Sequence, residues 1–517
     1  MATLKLTELA DVCGFRDWLR TAGRLGVSLN MAGTVIGFGD DTSADGYTLH
    51  LDNLDVLRAV VAAIEGTSKR VWCDEATDLA CVLADRLGLD IEALNWVSCM
   101  TTALAILEPG IEQPGRPSAL VLRAASTVRD AQHIAAEFDR PLRKVALSAV
   151  LQDALWRPIQ QRGLLLDTVM LATKTDAALD ERAARKSAYG IDLTEDSDAV
   201  YGWLARRGMQ ILDKEGAPSL SRDDFGRALI PEDALDAWKI FRGARSLKST
   251  LGKLVEFTRY EVDGRVYPTV VARSGTKTGR AKTLRPGYHN LNRSLRGLII
   301  ARPGYTLVSL DIDRAEPSVA AALSGDRVLA AALLVSDPYE ERAVAHYGEA
   351  ARGNGDLRDR FKKCLLAAFY QQGPSSLAAD LSISVEEAKT IQQELRRAWP
   401  TLFAWIDGVL KAARRQERLT TISGRFLPIP ERGDEFKAVN WVLQGSASDL
   451  FCDAVARVAA ELGASSLFLG IHDELVVEVP DRDIPFALEA LERGMTTTIN
   501  GVRVGGTAKV LGGRWGK

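Results

Sequence analysis

Two apolar strands that end in carboxylates constrain this chain more than any other feature. The stretch SLFLGIHDELVVEV (466–479) is two alternating β runs with His472, Asp473 and Glu474 at the turn between them, and TLVSLDID (306–313) is an apolar strand ending in Asp311. Two strand ends can therefore present Asp311 and Asp473 side by side. An Asp at a turn is more often a local hydrogen-bonding cap, so the pairing needs independent support. If the carboxylates meet, hard oxygen ligands in a shallow site suit Mg²⁺, and two such ions can clamp the attacking and leaving oxygens of an in-line phosphoryl displacement.

That support comes from RDRFKKCLLAAFY (358–370). Arg358, Lys362, Leu366 and Tyr370 recur every four residues, which on a helix makes one slowly drifting stripe about 18 Å long. Cations stand at one end and an aromatic ring at the other. A nucleoside triphosphate has that polarity: its phosphates need Arg and Lys, and its base needs an apolar or aromatic surface. Taken alone, the stripe reads more readily as an amphipathic helix with exposed cations and a buried Tyr.

A length of 517 residues suggests about three domains. Hydrophobic residues at 46% and charged residues at 26%, with no run of 18 apolar residues, exclude disorder and membrane spans. The start, MATLKLTELADVCGFRDW, lacks a basic segment followed by an apolar one, so a cytoplasmic protein is expected, in the host cytoplasm if the source is viral. Cys13, Cys73, Cys81, Cys99, Cys364 and Cys452 show no CxxC spacing and no histidines group near them, which indicates neither a disulfide framework nor a zinc site. The net charge of −3 conceals a segregation: from Arg242 to Arg302 there are 14 Lys or Arg against three acidic residues. One basic segment on an otherwise acidic chain is what a phosphate backbone would seek, although a solvated charged surface is the common reading of shorter runs.

Residues 1–144 mix strand runs with helical ones such as DLACVLADRLGL, the pattern of a small α/β domain. From 145 to 260 the apolar spacing is helical nearly throughout and predicts an elongated helical subdomain. Strand and loop material follows Gly264, then the strand at YTLVSLDID, helices over 315–418 and a hairpin-rich end.

On these residues the chain from 145 to 517 resembles the family A, polymerase I type, DNA polymerases. Their first catalytic motif, an apolar strand ending in Asp with Glu five residues later, is similar to LVSLDIDRAEPSVAAALSGD, with Asp311 and Glu316. Their nucleotide-binding helix is similar to the Arg358, Lys362, Leu366, Tyr370 series, and their His-Asp-Glu hairpin to His472, Asp473 and Glu474. TKTGRAKTLRPGYHNLN resembles the strand around the primer terminus, placing Arg280 on the minor-groove side with Asn290 nearby. RSLKSTLG, with Lys248, resembles the thumb helix that grips the duplex, and NWVLQGSASD resembles the helix that carries Asn440 and Gln444. GGRWGK is similar to the family's ending.

The resemblance implies an α/β multidomain protein with an α+β palm. It implies a right-hand polymerase with thumb (145–265), palm (266–330 and 419–517) and fingers (331–418), preceded by a small α/β exonuclease-like domain (1–144). It implies a DNA-directed DNA polymerase, a nucleotidyltransferase, acting on primer-template DNA and dNTPs. The catalytic residues would be Asp311, Asp473, Lys362 and Glu474. Two Mg²⁺ ions, replaceable by Mn²⁺, would be held by Asp311, Asp473 and Ile312. Arg358, Lys362, Leu366, Tyr370 and Glu316 would bind the nucleotide; Arg280, Asn290, Lys248, Asn440, Gln444 and His472 would bind DNA. No membrane partner is implied, and no replisome partner is identified.

These roles are physically coherent. Every Watson–Crick pair puts an acceptor in the minor groove, so donors such as Arg280 and Gln444 can check pair geometry without reading sequence. Glu316, beside a ribose 2′-hydroxyl, would select deoxyribonucleotides by exclusion. Lys362 could stabilise developing charge and protonate pyrophosphate, while Arg358 holds the terminal phosphate.

The departures bear on sugar discrimination, helix hinge motion and fidelity: Leu366 for Phe or Tyr, Gln371 for Gly, and Asp313, Arg314 and Pro317 in the first motif. Asp313, two residues past Asp311, is expected on the same strand face, as an added ligand or a solvent-exposed carboxylate. In the first domain the family's exonuclease carboxylates correspond to Ser28-Leu29-Asn30, Asp74 through Asp78, Cys99-Met100 and Arg123 through Thr127, where Asp78 alone would survive. One ligand cannot hold two divalent cations, so a remnant without proofreading activity is expected, and no room is left for a 5′ nuclease domain. Two other readings are a catalytically silent DNA-binding scaffold of the same fold and a single-subunit RNA polymerase. Glu316 and Glu474 argue against the second.

Overall fold

The computed structural model describes residues 152 and 155–516, apart from 214, 222–223, 226–227 and 272–275, together with Asn53 and the N-terminal elements given next. These are β1 (Thr3–Leu6), α1 (Asp11–Thr21), β2 (Leu25–Leu29), β3 (Val35–Asp40), β4 (Gly46–His50), α2 (Leu54–Glu65), β5 (Val71–Cys73) and β6 (Val97–Cys99). The strands form one mixed sheet in the order β1-β4-β3-β2-β5-β6. Val12, Phe15 and Leu19 recur at three- and four-residue spacing on α1 and are buried. Phe15 meets Phe38 and Tyr47 edge-on at 5.1 and 5.4 Å. Ser28 and Leu29 lie on β2 and Cys99 ends β6; Asn30, Asp74 through Asp78, Met100 and Arg123 through Thr127 lie outside the described residues.

The chain divides into two compact units. The smaller holds Gly163–Thr269, Leu284–Pro303 and Leu511–Lys517. After α3 (Arg157–Arg162), which belongs to the larger unit, come β7 (Leu164–Leu166), α4 (Thr168–Tyr189), α5 (Asp198–Ala205) and α6 (Leu235–Tyr260). Asp167 caps α4 by accepting from the Met170 N–H at 2.8 Å, satisfying one of the amides a helix start leaves free. On α6 the residues Trp238, Phe241, Ala244, Leu247, Leu251, Leu254 and Phe257 are all buried, a stripe at helical period that packs against α4. β8 (Arg265–Val266) pairs with β7, as does β11 (Ile299–Ile300) on its other side; between them in the chain come the paired strands β9 (Thr269–Val271) and β10 (Lys282–Leu284) and the short helix α7 (Arg293–Arg296).

The larger unit is built on β12 (Tyr305–Asp311), β15 (Leu467–Ile471) and β16 (Glu474–Pro480) with the first two residues of β19 (Lys509–Gly512), strands that follow the sheet order β15-β16-β12-β19. Residues 307–310 of β12 and 475–479 of β16 are buried on both sheet faces, which is why these strands read as nearly continuous apolar runs. Between β12 and β15 stand α8 (Ala315–Ser324), α9 (Arg327–Val335), α10 (Pro338–Tyr347), α11 (Gly355–Phe369), α12 (Pro374–Leu381), α13 (Val385–Ala398), α14 (Pro400–Arg414), the small hairpin β13 (Leu419–Thr420) and β14 (Phe426–Leu427), and α15 (Ala438–Leu462). One apolar core joins α8, α11, α13, α14 and α15. α16 (Ile484–Met495) packs on α15 and β12, and the antiparallel pair β17 (Thr497–Ile499) and β18 (Val502–Val504) follows it. No helix among the described residues is long and apolar enough to cross a membrane.

Candidate active site

Strand register brings the carboxylates together. β12 and β16 are antiparallel with Asp311 opposite Glu474, and the Ile312 N–H donates to the Asp473 carbonyl at 3.1 Å. β15 and β16 are joined by His472 and Asp473 alone, and His472 takes a left-handed φ of +56°, uncommon for a residue with a Cβ. β12 stops at Asp311, so Asp313 lies in the following turn, and strand alternation does not set its direction. Its N–H donates to the Gly505 carbonyl at 3.0 Å. The neighbouring Gly506 packs so closely that a Cβ there would stand 2.1 Å from the Asp311 carbonyl oxygen. A glycine is therefore required to seat the end of β12.

The electrostatics are those of a site short of positive charge. Desolvation by the surrounding chain, then the like charges of Glu474 and Asp473, push Asp311 up to about 6, against the pull of Lys509. Burial raises Asp473 as well, opposed by Arg280 and His472. Glu316, in the first turn of α8, is raised by burial; Arg280 and a hydrogen bond from Gln444 oppose this, while the charge of Asp473 adds to it. Arg280 Nη2 donates to Glu316 Oε1 at 3.4 Å and stands 3.7 Å from Asp473 Oδ1. Among the described residues, three side-chain atoms here are buried without a hydrogen-bond partner: Asp473 Oδ1, Arg280 Nε and Asn440 Oδ1. Buried polar atoms are nearly always paired, so a cluster of orphans marks a place completed by something else. No group of three or more His, Cys, Asp or Glu forms a metal cage among the described residues. Mg²⁺ does not need one, because it is held by one or two carboxylates plus substrate phosphates. The oxygen donors and the orphaned Asp473 Oδ1 fit such an ion.

α15 and α11 complete the site. Asn440 and Gln444, four residues apart on α15, share a face. Gln444 Nε2 donates to the Tyr370 hydroxyl at 3.0 Å. Tyr370 stands just past the end of α11 and is 46% exposed. Burial of its hydroxyl end raises the Tyr370 pKa. Gln371 adopts φ +54°, the left-handed conformation that glycine takes most easily, so the helix ends there with a strained residue in place of a free one. Leu366 packs on the apolar core and Lys362 is exposed. Arg358 is held by Asp337 at 2.9 Å and Asp359 at 2.7 Å, 5.3 Å above the Tyr339 ring.

Of the residues expected from sequence, the structure brings Asp311, Asp473, Glu474, Glu316, Arg280, Gln444, Asn440 and Tyr370 into one constellation. Lys248 and Asn290 belong to the smaller unit, where Lys248 Nζ pairs with Asp196 and Asn290 is exposed. Sequence reasoning missed Lys509, Gly505, Gly506 and the buried Arg425–Asp449 pair behind Arg280. The Gly-Gly step was the one visible signal, since consecutive glycines mark close backbone approach.

A family model described as DNA polymerase family A matches residues 228–516. The chain is 30% identical to DNA polymerase I, thermostable, of Thermus thermophilus over 276 residues, which is 49% of this chain and 33% of that protein. It is 27% identical to the DNA polymerase of Mycobacterium phage D29, covering 43% of this chain and 37% of that one. With DNA polymerase I of Aquifex aeolicus (strain VF5) the identity is 27%, covering 68% and 63%. The chain thus spans about a third of the length of the first two relatives. Its fold is similar to the POL domain of Pol1 from M. smegmatis, solved in complex with DNA primer-template and dNTP, with a TM-score of 0.82 at 19% identity and 99% of each chain covered.

Proposed function

The chain belongs to DNA polymerase family A, and from that membership we propose that it extends a DNA primer along a template by adding dNTPs to the 3′-hydroxyl, without proofreading. The observation that carries this reading is that, among the described residues, a carboxylate oxygen on Asp473, a donor nitrogen on Arg280 and an acceptor oxygen on Asn440 are buried without a hydrogen-bond partner. A cation completes the first, and a minor-groove acceptor of a primer terminus completes the Arg280 donor.

Asp311, Asp473 and the main-chain carbonyl of Ile312 would hold two Mg²⁺ ions, which supply charge stabilisation at the attacking and leaving oxygens. Arg280 and Gln444 hold the terminal base pair by acceptors common to all four pairs. Arg358 binds the terminal phosphate, and Lys362, free of the ion pairs that hold Arg358, donates its proton to the departing pyrophosphate. Tyr370 and Leu366 face the base and Glu316 excludes a 2′-hydroxyl. Lys248 and Asn290 contact the duplex. Thumb, palm and fingers occupy 145–265, 266–330 with 419–517, and 331–418 respectively. The first 144 residues serve as a non-catalytic exonuclease-like domain, and the enzyme works in the cytoplasm, the host's if its source is a virus.

The test is extension of matched and 3′-mismatched labelled primers with Mg²⁺ and dNTPs. Growth of the matched primer that vanishes in Asp311→Ala, with neither primer shortened, is expected. Shortening of the mismatched primer, abolished by Asp78→Ala, would restore a proofreading role to the first domain. Tight primer-template binding without growth under any metal condition would favour the scaffold, and preferential use of rNTPs the RNA polymerase.

A further inference from the structure

The loop that presents Arg280 is held from behind by charges that never reach the site. Arg425 and Asp449 are almost wholly inaccessible and pair through Nε and Oδ1 at 2.8 Å. Arg425 Nη2 donates to the carbonyl of Thr278 at 2.8 Å and to that of Gly445 at 3.2 Å. The next carbonyl along the loop, that of Gly279, accepts from the buried Ser448 hydroxyl at 2.7 Å. Two successive peptide planes ahead of Arg280 are thus fixed by two side chains, one from the β13–β14 hairpin and one from α15. Gly279, with φ +73°, lets the guanidinium lie against the chain: a Cβ there would stand 2.9 Å from Arg425 Nη2. Asp449 also accepts from the Thr421 hydroxyl, which in turn accepts from the Arg425 N–H at 3.1 Å.

A buried ion pair is weak evidence for stability, because replacing it by apolar groups is often neutral; its better-attested use is to fix one arrangement among several. Here the arrangement fixed is that of Arg280 relative to Gln444, since α15 carries Gln444, Gly445 and Ser448 together. We infer that Arg425, braced by Asp449, is a positioning residue for Arg280, which sets the geometry with which the primer terminus is checked. The inference rests on the polymerase reading above.

A double-mutant cycle tests it. Arg425→Lys keeps a charge for Asp449 but has no planar fork with which to pair with Asp449 and hold the Thr278 and Gly445 carbonyls at once, as the guanidinium does through Nε and Nη2. It should lower kcat/KM for dNTP addition to a matched primer about tenfold, the order expected for one charge-assisted hydrogen bond, and lower addition to a 3′-mismatched primer less. In an Arg280→Ala background the same substitution should change neither value by more than about twofold. Additive losses in the two backgrounds would assign Arg425 to general stability and overturn the inference. Should Arg425→Lys fail to fold, judged by far-UV circular dichroism, Ser448→Ala carries the same cycle. If the wild type binds primer-template without extending it, the cycle is read in primer-template affinity, with the same criterion of non-additivity. If it neither binds nor extends, the polymerase reading fails and this inference with it.

Discussion

Replacing Asp311 by Asn trades activity for stability in a way the structure makes calculable. The carboxyl is displaced from an ordinary 3.8 to about 6, by desolvation first and then by Glu474 and Asp473. That displacement corresponds to at most about 3 kcal/mol. The Asp311 side chain still opens to solvent, where screening weakens such effects, so about 1 kcal/mol is the expected cost of ionising it in the folded protein. The sign follows from linkage. A carboxyl with a raised folded-state pKa binds its proton more tightly when folded. No cost is present below the unfolded value, the cost grows as pH rises toward about 6, and above that it is fully present. In chelator, Asp311→Asn should therefore exceed the wild type in urea resistance by about 1 kcal/mol near neutral pH and above, with the difference fading as the pH falls to about 4. Added Mg²⁺ should stabilise the wild type and not the variant, narrowing the gap. Extension should be lost throughout. A variant less stable than the wild type at high pH, or a difference that does not change with pH, would refute the electrostatic reasoning.

Other substitutions probe separate parts of the site. Gly506→Ala places a methyl group 2.1 Å from the Asp311 carbonyl, so the end of β12 must shift; a loss of about 2 kcal/mol or more and of extension is expected, and an unaltered melting curve would contradict it. Gln371→Gly relieves the φ of +54°, and allowing for the greater freedom of glycine in the unfolded chain it should raise stability by about 0.5 kcal/mol; a lower denaturation midpoint would count against this. Arg358→Ala should raise the KM for dNTP about tenfold while leaving primer-template affinity unchanged. Its partner Asp337 remains satisfied, because it also accepts from the N–H groups of Tyr339 and Glu340, so a large loss of stability would show that Arg358 is a structural residue.

Much of the site was legible before folding because it lies on elements with strong local period. The runs around Asp311 and Asp473 alternate or stay apolar over the length of β12 and β16, and the four-residue series from Arg358 needs only helical geometry. The resemblance to family A polymerases then supplied the roles. Asp313 marks the limit of that reasoning. Two-residue alternation holds only while the strand continues, and β12 is ended by contacts from Gly505, Gly506 and Asp473, which no local pattern announces. Tyr370 was expected buried if the helix were merely amphipathic; it is half-exposed and bonded to Gln444, a residue of a distant helix.

Sequence by itself determined which strands and helices form and which carboxylates stand at their ends, because those depend on a dozen neighbouring residues. Tertiary structure alone decided that Asp311 feels the charges of Glu474 and Asp473, that Arg280 stands 3.7 Å from Asp473, and that Arg425 and Asp449 are buried as a pair. Desolvation and charge pairing are set by whatever other segments fold over a group, and that depends on every element at once.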